Sequence, residues 1–112
     1  MTKDLKASFA RRSNEAWRDA HAPEGVLSDR TRAKCLFDAG YFCLLAYAPS
    51  EARERIVHHP DADFVREECA RHSVLAETGL DFVAHELSAF DEDRPNNDRL
   101  LAWASELRAR LL

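Results

Sequence analysis

Apolar side chains recur at helical spacing along most of the chain, with polar side chains between them. In the first segment, the apolar residues that fall close to one helix face are Leu5, Phe9, Ala16, Trp17 and Ala20. Apolar positions three and four residues apart form the buried stripe of an amphipathic helix. The pattern therefore predicts a first helix from Lys3 to Ala20, which ends before the breakers Pro23 and Gly25.

The second predicted helix, Ser28 to Ala48, changes character along its length. Ser28 is a suitable N-cap, and Asp29 lies in the first turn, where the helix dipole favours an anion. The second half, AGYFCLLAYA, is apolar on every side. Such a helix is buried all round, so it is either the central helix or covered by a second subunit. Gly40 lies within it at a cost of about 1 kcal/mol relative to alanine, and a close helix crossing is one reason to keep it.

The next breakers delimit a short segment and a third main helix. Residues Ser50 to Val57 form the short segment, which His58, His59 and Pro60 end. The third main helix is predicted to start at Pro60–Asp61 and to run to about Ala76. The pair Thr78–Gly79 is read as the break that ends it, because glycine is common where a helix stops.

Two further helices complete the chain. One is predicted from Leu80 to Phe90, then a polar loop, DEDRPNND, and a last helix from near Asn97 to the C-terminus. No segment shows the alternation of polar and apolar residues that is typical of a strand. The pattern predicts an all-α fold, a compact bundle of four to five helices in a single domain over residues 1–112.

Composition and charge narrow the classes of function. Apolar residues make up 46% and charged residues 32% of the chain, a globular balance. The net charge is −4, and the 8 basic and 14 acidic residues of positions 51–112 give that part −6. This argues against broad nucleic-acid binding, which needs a basic surface. Local basic patches are possible around two sets, Arg11, Arg12 and Arg18, or Arg30, Arg32 and Lys34.

The chain shows no feature of a secreted or membrane protein. Its first residues lack the apolar core of a secretory signal, and the longest run without a charge or breaker, Ala39 to Ala48, is about half a membrane span. We therefore expect a cytoplasmic protein. In a reducing compartment, the three cysteines Cys35, Cys43 and Cys69 are better read as buried thiols than as a disulfide framework.

The chain has no glycine-rich phosphate loop, GxSxG, HExxH or CxxC motif. The constellation that suggests catalysis is RERIVHH, in which Arg53 and His58 are five residues apart. On a helix this spacing lets both side chains reach one site, where arginine could hold an anion and histidine could move a proton.

RERIVHH resembles the R-x4-6-H motif of HEPN domains, which are small α-helical bacterial proteins, and the preceding FDAGYFCLLAYA resembles their alanine- and tyrosine-rich helix. The resemblance covers about residues 30–60. It implies a metal-independent ribonuclease of the toxin type, in which a dimer brings two Arg53/His58 motifs together. Other members of the family are non-catalytic and bind partners, so the resemblance also allows that role.

Metal sites have weaker candidates. Cys69 and His72 lie one turn apart on the third main helix, and Cys35 and Cys43 share a face of the second. These residues, with His58 or His59, could supply zinc ligands if the helices pack together. Buried, inert thiols are the simpler reading. The acidic clusters Asp61, Asp63, Glu67 and Glu68, and Asp91 to Asp93, are read as solvated surface.

Aromatic residues suggest an interface as well as a core. Tyr41 and Tyr47 on the second helix are typical of surfaces where tyrosine buries its ring and keeps its hydroxyl hydrated. Trp17 and the aromatic residues of this helix could also line a ligand pocket. The candidate interface residues are Phe37, Tyr41, Phe42 and Leu45.

The sequence favours a cytoplasmic helical interaction module that forms a homodimer and has no catalysis and no cofactor. The alternative is the HEPN-like ribonuclease, which would bind RNA and use Arg53 and His58. A second alternative is a regulator that binds a metal or small molecule through cysteine and histidine.

Overall fold

The fold is an all-α bundle, as the sequence predicts, in a computed structural model that describes residues 2–23, 25–49, 62–87 and 97–112. The helices of these residues are α1 (Thr2–Ala20), α2 (Asp29–Tyr47), α3 (Ala62–Arg71), α4 (Glu77–Leu87) and α5 (Asn97–Leu111). No strand occurs within the described ranges. The radius of gyration, 13.4 Å, is close to the roughly 13 Å expected for a compact domain of about 100 residues.

Helices α1 and α2 form an antiparallel hairpin. Phe9 stacks on Phe42 with ring centroids 6.3 Å apart, and the Ser13 hydroxyl donates to the Ala39 carbonyl at 2.7 Å. The residue numbers in such pairs run in opposite directions along the two helices. The predicted N-cap is confirmed, because the Ser28 hydroxyl accepts a hydrogen bond from the backbone N–H of Thr31 at 3.1 Å.

The central helix of the bundle is α2. It contacts α3 through Tyr41 and Phe64, α4 through Phe37 and Phe82, and α5 through Phe37 and Trp103. From Leu36 onward none of its residues is exposed. The chain itself therefore covers the apolar half of this helix, which decides between the two alternatives that its sequence left open.

Helix α3 ends five residues earlier than predicted. Ser73 takes a positive φ of 60°, its N–H donates to the Ala70 carbonyl, and the N–H of Val74 donates to the Cys69 carbonyl at 2.8 Å. This pair of hydrogen bonds is a Schellman motif, which satisfies the last carbonyls of a helix and turns the chain away. The predicted extension to Ala76 is therefore wrong, although no glycine marks the turn.

The predicted break at Thr78–Gly79 is also wrong, because both residues belong to the first turn of α4. Gly79 lies against the Trp103 indole, and a Cβ atom there would be 2.6 Å from Trp103 Cζ2. Its role is to make room for a neighbouring helix rather than to turn the chain. The last helix begins at Asn97, as predicted.

None of the helices in the described ranges has the length and apolar character needed to cross a bilayer. The predicted segment from Ser50 to Val57 and most of the acidic loop after Phe90 lie outside the described residues.

Candidate functional site

An aromatic stack holds the middle of the bundle together. Phe37 stacks on Phe82, with ring centroids 4.4 Å and planes 16° apart, and on Trp103, with ring centroids 5.6 Å and planes 14° apart. Trp103 lies closely between Gly40 of α2 and Gly79 of α4. These contacts join α4 and α5 to α2, and Trp103 itself is buried, with 4% of its surface exposed.

A groove of about 260 Å³ lies beside Trp103. It lies between the turn after α3, the start of α4 and one face of α5. The residues that line it are Leu75, Glu77, Thr78, Arg99, Ala102, Trp103 and Glu106.

Leu75 stands at the edge of this groove with 77% of its surface exposed. The Schellman turn places it there: Val74, one residue earlier, is buried in the core, while Leu75 on the opposite side of the extended connector faces solvent. A single exposed leucine is ordinary on a protein surface. Leu75 differs because it lies at the edge of a groove that Trp103 also lines.

Charged side chains of both signs surround the groove. Glu77 lies in the first turn of α4, and Glu106 forms an ion pair with Arg110 at 3.2 Å. Arg99 lies 3.7 Å from Asp81, and both of these side chains are more than half exposed. Such exposed pairs contribute little to stability.

A second cluster, buried and polar, joins α1, α2 and α5. The Ser13 hydroxyl, fully buried, donates to the Ala39 carbonyl and accepts from Arg108 Nη1 at 2.9 Å. Its oxygen is 3.2 Å from Cys43 Sγ. Because the single hydroxyl proton goes to Ala39, the thiol donates to Ser13 and both lone pairs of the hydroxyl are used. The Arg108 guanidinium lies 5.2 Å from the ring centre of Trp17.

The predicted interface residues lie mainly inside the bundle. Phe37, Tyr41 and Leu45 are buried by the chain itself, and Phe42 is half-buried beneath Phe9. Of these four residues, Phe42 is the one that keeps partial exposure. Tyr47 is half-buried and lies beneath Lys6, whose Nζ is 4.1 Å from the ring centre.

The candidate metal ligands that the structure describes do not converge. No group of three histidine, cysteine or acidic side chains in the described ranges could hold a metal ion. Cys43 and Cys69 are buried, and Cys35 is half-buried, in line with the reading as core thiols. His72 lies just beyond the end of α3, and its buried Nε2 atom has no hydrogen-bond partner among the described residues.

The environments of the thiols disfavour ionisation. Burial raises the pKa of Cys69 to about 11, although the nearby Trp103 indole acts in the other direction. Burial also raises the pKa of Cys43, against the opposing effects of Ser13 and Arg108. For Cys35 burial is again the largest cause, and Asp19 and Asp38 raise the pKa further. Reactive cysteines have depressed pKa values, so none of the three resembles a nucleophile.

Two arginines of the possible basic patches are used within the fold. Arg32 donates through Nη1 to the Ala20 carbonyl and through Nη2 to the Ala22 carbonyl, at 3.1 Å for the second. Arg12 lies over the rings of Phe9 and Phe42 at 5.8 and 5.9 Å. The guanidinium of Arg32 therefore caps α1 rather than extending into solvent.

The acidic cluster on α3 divides in two. Asp63 is exposed and forms an ion pair with Arg66 at 2.8 Å, and Glu67 is exposed. Glu68, predicted to be solvated, is only 4% exposed, with Arg71 Nη1 3.9 Å from its Oε1 atom. The prediction was wrong for Glu68 because this residue falls on the buried stripe of α3.

Several candidate residues lie outside the described part of the chain: Arg53, His58, His59, Asp61 and Asp91 to Asp93. The geometry of the arginine–histidine motif therefore stays a prediction.

Sequence reasoning missed Ser13, Arg108 and Leu75. A serine on the apolar stripe of α1 was a detectable signal for a buried polar contact, whereas its partner Arg108, 95 residues away, could not be predicted.

Comparisons with protein-family models, curated proteins and solved structures found no match to this chain.

Proposed function

We propose that this protein is a small helical interaction module that binds a second copy of itself and has no catalysis of its own. The observation that supports this most directly is the groove beside Trp103, with Leu75 exposed at its edge. An apolar surface of this kind, surrounded by charged side chains, is typical of protein–protein contacts.

The chemistry of the described side chains favours binding over catalysis. The thiols have raised pKa values, and the buried Ser13 hydroxyl has all of its hydrogen-bonding capacity in use within the bundle. Neither group is available to attack a substrate.

Native mass spectrometry of the full chain across a range of concentrations tests the proposal. The expected result is a dimer whose fraction rises with concentration. A species that stays monomeric at the highest concentration would refute self-association.

The second candidate function is the HEPN-like ribonuclease, which rests on the spacing of Arg53 and His58 and on the resemblance of the surrounding residues. It predicts RNA cleavage that persists in EDTA and is lost in His58→Ala. His21→Ala is the matched control, because His21 lies in the turn after α1, where it bonds to the Trp17 carbonyl. Equal cleavage by the parent and by His58→Ala would exclude this role for His58.

A further inference from the structure

The geometry points to the surface that the two copies share: a two-fold symmetric contact in which Leu75 of each copy enters the groove beside Trp103 of the other. This inference rests on the proposed self-association and adds the surface, its symmetry and its charge pairs.

Shape favours a second copy over a small ligand. The volume of the groove, about 260 Å³, is below the roughly 300–1,000 Å³ of most ligand pockets. It suits one or two side chains instead. The same surface carries both the projecting leucine and the groove that could receive one, and a two-fold contact requires such a self-complementary patch.

The Schellman turn prepares Leu75 for this role. Hydrogen bonds from Ser73 and Val74 to the end of α3 fix the backbone, and Val74 anchors the turn in the core. Leu75 therefore projects from an ordered connector, so little conformational entropy is lost when it is buried in a partner.

Charge supports the same arrangement. Glu77 and Arg99 both line the groove, and Glu77 forms no ion pair within the described residues. A two-fold contact centred on the groove would bring Glu77 of one copy towards Arg99 of the other, twice. The Arg99 side chain is 51% exposed, and a guanidinium carries five N–H donors, so it can bind a carboxylate of the second copy beside its present contacts.

The size of the groove sets the expected affinity. Seven residues line it, whereas a stable complex uses about 20–30 residues on each side. The dimer should therefore be weak and reversible, and sedimentation should be measured at high protein concentration.

The first test is Leu75→Glu, with Val26→Glu as the matched control. Val26 is also exposed, at 65%, and does not line the groove. We expect Leu75→Glu to raise the dimer dissociation constant about tenfold or more, since it removes a buried leucine from each half of the contact. Val26→Glu should leave it unchanged. Circular dichroism should show both variants to be folded.

The second test exchanges charges. Glu77→Arg and Arg99→Glu should each weaken self-association, because each places like charges opposite one another. Mixing the two variants should restore dimerisation between unlike chains, since both contacts then join opposite charges. Restoration would be specific to a two-fold pairing of these positions.

The outcomes separate this inference from the proposed function. A parent protein that remains monomeric would refute self-association itself. A dimer that persists in Leu75→Glu, or charge variants that do not complement each other when mixed, would overturn the groove contact and leave self-association standing.

Discussion

Gly40 of α2 and Trp103 of α5 are in such close contact that a Cβ atom on Gly40 would lie 2.5 Å from Trp103 Cζ3. The position of the indole is restricted, because its Cζ2–Cη2 edge meets Gly79 and its face packs near Phe37. We therefore expect Gly40→Ala to lower the free energy of unfolding by at least about 1 kcal/mol, since overpacking outweighs the helix preference of alanine. Urea denaturation measures this.

The control is Gly40→Ala made in a variant that has a smaller side chain at position 103. In Trp103→Phe, part of the clashing ring is absent, so Gly40→Ala should cost less there than in the parent. An equal cost in both backgrounds would mean that the indole is not what excludes a side chain at position 40.

Ser73 offers a stabilising change. Its φ of 60° lies in the left-handed region, where a residue with a Cβ atom is strained by about 1–2 kcal/mol and glycine is not. Ser73→Gly should raise the free energy of unfolding by about 0.5–1 kcal/mol, the gain being reduced by the greater freedom of glycine in the unfolded chain. Thermal and urea unfolding measure it, and a loss of stability would argue against this turn.

The Ser13 hydroxyl connects three helices. Ser13→Ala would remove the hydrogen bonds with the Ala39 carbonyl, Cys43 and Arg108. We expect a loss of about 1–3 kcal/mol, because buried polar groups are left without partners. Ser28→Ala, which removes an exposed N-cap, should cost only about 1 kcal/mol. Similar small losses at both positions would show that water replaces the missing hydroxyl.

Arg32 caps the end of α1 with two nitrogen atoms on two carbonyls. Arg32→Lys keeps the charge but cannot reproduce this forked contact, so we expect a loss of about 1 kcal/mol in urea denaturation. Lys34→Ala, at an exposed position two residues along the same helix, is the control and should change stability very little. Full retention of stability in Arg32→Lys would make the cap dispensable.

Stability should fall at alkaline pH because of Cys69. The pKa of this thiol is about 11 in the folded protein against an ordinary value of 9.0. Between these values the unfolded thiol is ionised while the folded one remains protonated, so the folded state binds more protons and stability falls as pH rises. The contribution is complete below pH 9 and is lost towards pH 11, at up to about 1.4 kcal/mol per pH unit.

Urea unfolding at about pH 8 and pH 10 checks this expectation. Cys69→Ala should show a smaller decrease between the two conditions than the parent. Cys35 and Cys43 have raised pKa values as well, so part of the decrease should remain. An identical decrease in both proteins would exclude Cys69 as a source.

The sequence by itself determined the helices and the class of fold. Local structure follows from spacing and capping, which depend only on residues close in the sequence. Examples are the apolar stripe of α1, the N-cap at Ser28 and the half of α2 that is apolar on every side. The start of the last helix at Asn97 was predictable because it too depends on residues close in the sequence. The end of α3 was not, because a Schellman turn with serine rather than glycine leaves no distinctive residue.

Only the tertiary structure decided what the unusual residues do. Gly79 looked like a helix breaker, yet it lies inside α4 because Trp103 of α5 occupies the space of its side chain. The contact between Ser13 and Arg108 joins residues 95 positions apart, and the groove at Leu75 exists because α5 packs beside the turn after α3. Periodicity reports which face of a helix is buried, but the residues that meet across two helices depend on how the helices pack.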